Sequence, residues 1–275
     1  MPPPAVSAIA HLMTQGRVLI IAGSDSGGGA GIQADIKTVT ALGGYAATAI
    51  TALTVQNTLG VSGVHSVPPD FVEAQARAVL DDIGADAFKT GMLGDTAMVT
   101  TVARILTDYP QIPAVIDPVM VAKGGASLLA ADAVIAVREL LVPRAALLTP
   151  NAPEAEALTG LVIEDLDGLR RAGHALLDLG AQAVLMKGGH MVGDVLTDLL
   201  ITRQGETSFQ GERVETRHTH GTGCTLASAC ATGHAQGLPL AHAVASAWAY
   251  VQEAIRHAPG LGQGHGPLDH GWRLR

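Results

Sequence analysis

Four short segments carry groups suited to phosphate chemistry. The first, His220 to Leu226, reads His-Gly-Thr-Gly-Cys-Thr-Leu and sets a thiol behind a glycine-rich turn, at the start of the Ala-rich apolar run Leu226 to Gln236. A helix beginning there turns the unpaired N–H groups of Gly223, Cys224 and Thr225 outward beside the positive end of its dipole, where a phosphate or a developing oxyanion is favoured. The same setting predicts a lowered pKa for Cys224. Taken alone, the segment also fits a plain helix start, with Thr222 as cap and Cys224 as a small buried hydrophobe.

The other three segments favour the chemical reading. Ala22 to Gly31 follows the apolar run Arg17 to Ala22 and precedes a predicted helix, so its glycines sit where a first β–α loop lets backbone approach a ligand closely. It matches neither the strict dinucleotide spacing nor the ending of a Walker loop. Val184 to His190 is an apolar strand that delivers Lys187, Gly188 and Gly189 at its carboxyl end, a common placement for a phosphate contact. Thr149 to Glu154 is another strand exit, with Asn151 and Glu154 three residues apart. A carboxylate, water and phosphate oxygens are the usual ligands of Mg²⁺, so the two exits together describe a nucleotide and Mg²⁺ site.

These segments fall in a recognisable series: Ala22 to Asp35, Thr51 to Asn57, Lys89 to Leu93, Asp117 to Met120, Thr149 to Glu154, Met186 to His190 and His218 to Leu226. In composition and order, over Arg17 to Gly266, the chain resembles the hydroxymethylpyrimidine/phosphomethylpyrimidine kinases of thiamine biosynthesis, within the ribokinase-like kinases. The resemblance implies an α/β fold with a central, mainly parallel sheet, helices on both faces and a site at the carboxyl ends of the strands. It implies ATP and Mg²⁺ as cofactors, an aminopyrimidine substrate and a homodimer.

Residue roles follow from the same resemblance. Most ribokinase-like enzymes carry an aspartate where this chain has Cys224, whereas the pyrimidine kinases share the cysteine; Cys224 is the candidate to activate the substrate hydroxyl, with Gly221, Thr222 and Gly223 as the anion hole. Asp35 and Gln56 map to ring-binding positions, and an amide such as Gln56 suits a ring nitrogen beside an exocyclic amine. Gly23, Met92 and Val119 would wall a small flat ring, although by residue type alone Met92 is more often core filler. Lys187, Asn151, Glu154 and Asp117 map to the triphosphate and Mg²⁺. Lys89 matches the motif but has no assigned role. Pyridoxine or pyridoxal kinase is the alternative activity, and a non-catalytic pyrimidine binder is the reading from another class.

To bring these segments together the chain must alternate strands and helices. Strands are predicted at 17–22, 45–52, 87–90, 114–117, 145–149, 183–187, 195–201 and 206–213, the last two as an edge hairpin. Helices are predicted at 32–42, 69–83, 95–107, 130–141, 153–159, 165–179, 225–236 and 240–258. That alternation is the signature of a parallel sheet wrapped by helices. With 275 residues, 48% of them hydrophobic, the expected organisation is one domain over 17–275 behind a loose Pro-containing tail at 1–16, and the segment 121–128 is the expected mobile flap.

Composition narrows the partners. A net charge of −8 with 17 Lys and Arg residues and no basic stripe argues against nucleic acid, and no apolar run is long enough for a membrane span. Cys224 and Cys230, six apart on one helix, face different directions and cannot pair, which points to a reducing cytoplasm. The 11 histidines show no zinc spacing, and His265 and His270 in the glycine-rich tail are expected at the surface.

Overall fold

Nine strands form one sheet in the order β3-β2-β1-β4-β5-β6-β7-β8-β9 in a computed structural model that describes residues 15–121, 125, 128–189 and 195–275. The strands are β1 (Arg17–Asp25), β2 (Tyr45–Asn57), β3 (Gly60–Ser66), β4 (Ala87–Thr90), β5 (Ala114–Ile116), β6 (Ala145–Leu148), β7 (Ala183–Met186), β8 (Val195–Thr202) and β9 (Gly205–Glu212). The six from β2 to β7 across the middle run parallel, while β3, β8 and β9 are antiparallel additions at the two edges.

Central strands are short and buried on both faces, and alternate residues enter opposite cores. Leu19 and Ile21 of β1 join the core under α2 (Pro69–Asp82), α3 (Thr96–Asp108), α4 (Ala133–Ala136), α5 (Ala152–Thr159) and α6 (Leu166–Asp178). Val18, Ile20 and Ala22 join the core under α1 (Gly31–Ala41), α7 (Thr222–Ala235) and α8 (Leu240–Arg256). Period-two alternation within an all-apolar strand is what a doubly covered parallel sheet requires. The expected fold, α/β with helices on both faces, is therefore the observed one.

The chain leaves β1 for β2 on one side and then crosses to β4 on the other, so the strand order reverses between β1 and β4. Such a switch point opens a crevice at the carboxyl ends of the strands. Helix α7, apolar all round and buried from Thr225 to Gly233, packs across β1, β4 and β5 and points its N-terminus at that crevice.

Most predicted elements agree with the structure to within a few residues, but β3 was not foreseen. Residues 60–66 pair antiparallel with the far half of β2, extending that strand to Asn57. Thr58 and Leu59 form the hairpin connection, and the alternation in Val61-Ser62-Gly63-Val64-His65 was the available signal. The predicted helix 130–141 becomes the single turn of α4 followed by a wider π turn, Val137–Leu141, that ends before Pro143. Residues 1–14 of the expected tail, and most of the expected flap (122–124, 126 and 127), lie outside the described residues.

Candidate active site

Two glycine turns meet at the switch point, and a buried aspartate holds one of them. Asp25 ends β1 and is 2% exposed; its carboxylate accepts N–H bonds from Gly27 (2.8 Å), Gly29 (3.0 Å) and Ala30 (2.8 Å). Burial alone would raise its pKa, but these bonds and His220 hold it below the usual carboxylate range. The His220 ring reaches Asp25 Oδ2 at 2.9 Å from the loop before α7. Gly221, at φ +85°, is the N-cap of α7, and a Cβ there would stand 1.8 Å from the Gly29 carbonyl oxygen. Only glycine permits that approach.

The helix thus starts three residues earlier than the sequence indicated, and Thr222, Gly223 and Cys224 form its first turn. Thr225 N–H donates to Gly221 O (2.9 Å) inside the helix, so the outward donors reduce to Gly223 and Cys224. Thr222 is not the cap; its hydroxyl donates to Thr219 O at 2.7 Å. Beside this turn stand Lys187 Nζ and Asp117, 3.3 and 3.7 Å from where a Gly223 Cβ would lie.

Lys187 is the centre of the side expected to take phosphate. Its ammonium lies 3.1 Å from Asp117 Oδ1 and 3.7 Å from Glu154 Oε2, with its side chain 15% exposed. Burial works against the charge, but Asp117 and Glu154 outweigh it and raise its pKa. Thr149 Oγ1 donates to Asp117 Oδ1 at 3.2 Å. Asn151 caps α5 in a reciprocal box: Asn151 Oδ1 accepts from Glu154 N–H (2.9 Å) and Glu154 Oε2 from Asn151 N–H (2.8 Å). One oxygen of each side chain is therefore engaged in starting the helix. Burial pushes Glu154 upward, against the pull of Lys187. The exit of β7 is held by Asp198, which accepts from Gly188 N–H (2.7 Å) and Trp248 Nε1–H (3.1 Å). A Cβ on Gly188 would lie 1.9 Å from Thr197 O, so that glycine is required for the strand crossing.

Beneath Cys224 lies a second lysine–carboxylate pair. Lys89 Nζ bonds both oxygens of Asp35 at 2.8 Å, Ser228 Oγ donates to Asp35 Oδ1 at 2.7 Å, and both charged side chains are fully buried. Burial lowers the Lys89 pKa, but Asp35, Cys224 and Asp117 together hold it up at about 12. Ser228 and Cys224 are four residues apart, on one face of α7.

The residues expected to meet the ring lie on the other side. Gly23, at the end of β1, would bring a Cβ within 3.1 Å of Met92 Sδ, and Thr51 Oγ1 donates to Met92 O at 2.6 Å. Val119 follows Asp117 just beyond the end of β5 and shares a small cavity with Thr90, Gly91 and Asp117. The half-buried Gln56 stands where β2 emerges, its amide 3.2 Å from the His220 ring. A groove of about 730 Å³ opens at the opposite end of the sheet, around Pro113, Pro143 and His234, away from all these groups.

Comparison with known proteins gives the family and the fold. The phosphomethylpyrimidine kinase family matches residues 25–269. The chain belongs to that family. The Streptomyces coelicolor hydroxymethylpyrimidine/phosphomethylpyrimidine kinase is 50% identical over 94% of this chain and 95% of its own length. The Geobacter sulfurreducens thiamine biosynthesis bifunctional protein ThiED is 53% identical over 93% of this chain, which spans about half (52%) of that longer relative. A solved Bacillus subtilis pyridoxal kinase in complex with ADP superposes with a TM-score of 0.88 at 35% identity, covering 95% of this chain and all of that one.

Within the phosphomethylpyrimidine kinase framework, the expected residues gather at one sheet edge, with three corrections. Cys224 is not acidified. Burial pushes its thiol up to about 12; Asp35 and Asp117 add to that, while Lys89 and the Gly31 N–H pull the other way without overcoming it. Asp35 has no exposed surface with which to meet a ring, because Lys89 and Ser228 enclose its carboxylate. His270 is 4% exposed rather than on the surface, its ring 3.0 Å from Thr225 Oγ1.

Sequence reasoning passed over Lys89, Asp25 and His220 as working residues. A lysine inside the apolar run Ala87–Thr90 was a signal, since a charge in a doubly covered strand needs a partner. An aspartate two residues before a glycine turn was another, the Asx pattern. Cys224 and Cys230 are both free thiols, and among the described residues no helix is long and apolar enough to cross a membrane.

Proposed function

We propose that this chain transfers the γ-phosphoryl group of ATP to the hydroxymethyl group of 4-amino-5-hydroxymethyl-2-methylpyrimidine, and then phosphorylates the monophosphate to the diphosphate. The observation that carries this reading is the meeting of Lys187, Asp117 and the first turn of α7 within a few ångströms at the carboxyl ends of the strands. Phosphoryl transfer needs little covalent help from a protein and much positioning and charge stabilisation. Lys187 and the Gly223 and Cys224 N–H groups supply positive potential where the transferring group sits.

Asp117 and Glu154 would hold Mg²⁺, which neutralises charge on the β and γ oxygens when bound. Among the described residues no three His, Cys, Asp or Glu side chains gather as a metal cage. The donor set fits an ion that keeps most of its waters and takes its remaining ligands from carboxylate and phosphate. Asn151 keeps its side-chain NH₂ for the nucleotide, its oxygen being used in the cap.

Cys224 acts as a neutral thiol that aligns the hydroxyl for in-line attack. In a loose transition state the hydroxyl proton leaves late, to an oxygen of the transferred phosphoryl group as ADP departs, so alignment matters more than prior deprotonation. With the thiol at about 12, kcat should stay nearly level between pH 6 and 8; a reaction that needed the thiolate would gain about tenfold per pH unit over that range. A pH–rate profile measured at saturating substrate decides between the two.

The superposition on a pyridoxal kinase favours a second reading, phosphorylation of pyridoxine or pyridoxal in the same cleft. Mass analysis of products after incubation with Mg-ATP and hydroxymethylpyrimidine, with pyridoxine in parallel, separates them: mono- and diphosphate of the pyrimidine are expected, and a phosphorylated pyridoxine alone would reverse the assignment. ATP turnover separates both from a pure binder. The homodimer expected from the resemblance is supported by the β2–β3 hairpin, whose Leu53, Val55, Leu59 and Val64 are 48–67% exposed. Sedimentation would show a mass of two chains.

A further inference from the structure

Gln56 ends in an amide whose two ends have similar shape and opposite hydrogen-bonding character. One end lies 3.2 Å from His220 Nε2 and the other 3.1 Å from Thr54 Oγ1. Which end is the oxygen follows from counting hydrogens on the neighbours.

On the first side, Asp25 Oδ2 already accepts from Gly29 and Ala30, so it can only accept from His220 at 2.9 Å. His220 Nε2 therefore carries a hydrogen and has no lone pair to offer Gln56. An NH₂ group facing it would set donor against donor; an oxygen would share its hydrogen with Asp25. On the second side, Thr54 Oγ1 has a single hydrogen, and Ser24 O, an acceptor only, takes it at 2.8 Å. The group 3.1 Å from Thr54 Oγ1 must then be a donor, the NH₂. Both sides give the same answer: oxygen toward His220 and NH₂ toward Thr54. The backbone beneath is pinned as well: Gln56 N–H donates to Ser26 Oγ (2.9 Å) and Ser26 Oγ to Gln56 O (2.8 Å).

We infer that His220 and Thr54 are positioning residues that hold the Gln56 amide in one sense, oxygen toward His220 and NH₂ toward Thr54, and so select the substrate by the order of donor and acceptor along its ring edge. The inference rests on the reading of Gln56 as a ring contact. After its two internal bonds the amide keeps one lone pair on oxygen and one N–H on nitrogen. An exocyclic amine beside an unsubstituted ring nitrogen satisfies both in one orientation, amine to oxygen and ring nitrogen to NH₂. A pyridine ring without the amine satisfies only half. The free amide would serve either order; the held amide discriminates.

Calorimetric binding of hydroxymethylpyrimidine and of pyridoxine to the full chain tests this, with Thr54→Val, Thr54→Ser, Gln56→Ala and the double variant Thr54→Val/Gln56→Ala. Thr54→Val, close in shape, removes the acceptor for the NH₂ together with the hydroxyl's own bond to Ser24 O. It should weaken pyrimidine binding about tenfold, leave pyridoxine and ATP binding little changed, and be rescued by Thr54→Ser. In the double variant the Thr54 change should add nothing to the loss from Gln56→Ala, because it acts through that side chain. Equal weakening of both ligands, or an additive double variant, overturns the inference while leaving the ring contact standing. Unchanged pyrimidine affinity in Gln56→Ala overturns the ring contact, and the inference with it.

Discussion

Two lysine–carboxylate pairs in this molecule serve different ends. Lys89 and Asp35 are fully buried, and Ser228 satisfies the carboxylate further. Lys187 is partly open and shares its charge between Asp117 and Glu154 at longer distances, 3.1 and 3.7 Å. The closed pair is neutralised internally and has no exposed surface, so it positions what surrounds it, here the underside of Cys224. The open pair has spare valence and solvent access, which is what an arriving phosphate and cation require. Lysine and aspartate at a strand exit are thus no guarantee of a ligand site; what separates the two cases is whether the charges are satisfied before a ligand comes.

The largest effect should come from breaking the closed pair. Lys89→Met leaves the Asp35 carboxylate buried without its cation and should lower the unfolding free energy by about 3–5 kcal/mol in denaturant titrations, with Lys89→Met/Asp35→Leu recovering much of the loss. A loss under about 1 kcal/mol would mean that the pair is less isolated from solvent than its burial indicates. Lys187→Ala is the counterpart. It should cut turnover about 10²–10³-fold with pyrimidine affinity nearly unchanged, since it acts on the transferring phosphoryl group. Equal weakening of pyrimidine and ATP binding would erase the division between the two halves of the cleft.

A smaller effect concerns His270, which packs on Thr225 on the buried side of α7. Burial lowers its pKa to about 4, with Lys37 and His220 contributing. Between pH 6.5 and 4 the unfolded chain binds a proton that the folded chain refuses, so stability is full above pH 6.5 and declines as pH falls to about 4. The loss should be of the order of 2–3 kcal/mol, and His270→Gln should flatten it in melting curves taken across that range. An unchanged slope would show that acid sensitivity arises elsewhere.

The sequence alone determined the architecture and which segments meet at the carboxyl ends of the strands. Apolar strands ended by Gly, Lys or Asn, alternating with helical runs, lead to a parallel sheet whose exits share an edge, because strand and helix periods are local properties of the chain. Asn151 and Glu154, read from the sequence only as a ligand pair, also carry the three-residue spacing of a capping box. Tertiary structure decided the contents of the site. The bond from Lys89 to Asp35 spans 54 residues, that from His220 to Asp25 spans 195, and neither spacing carries a period that could announce it. The pKa of Cys224 reversed for the same reason. A helix N-terminus is readable from seven residues, but the burial and carboxylates that outweigh it come from β4, β5 and α1, placed there by packing.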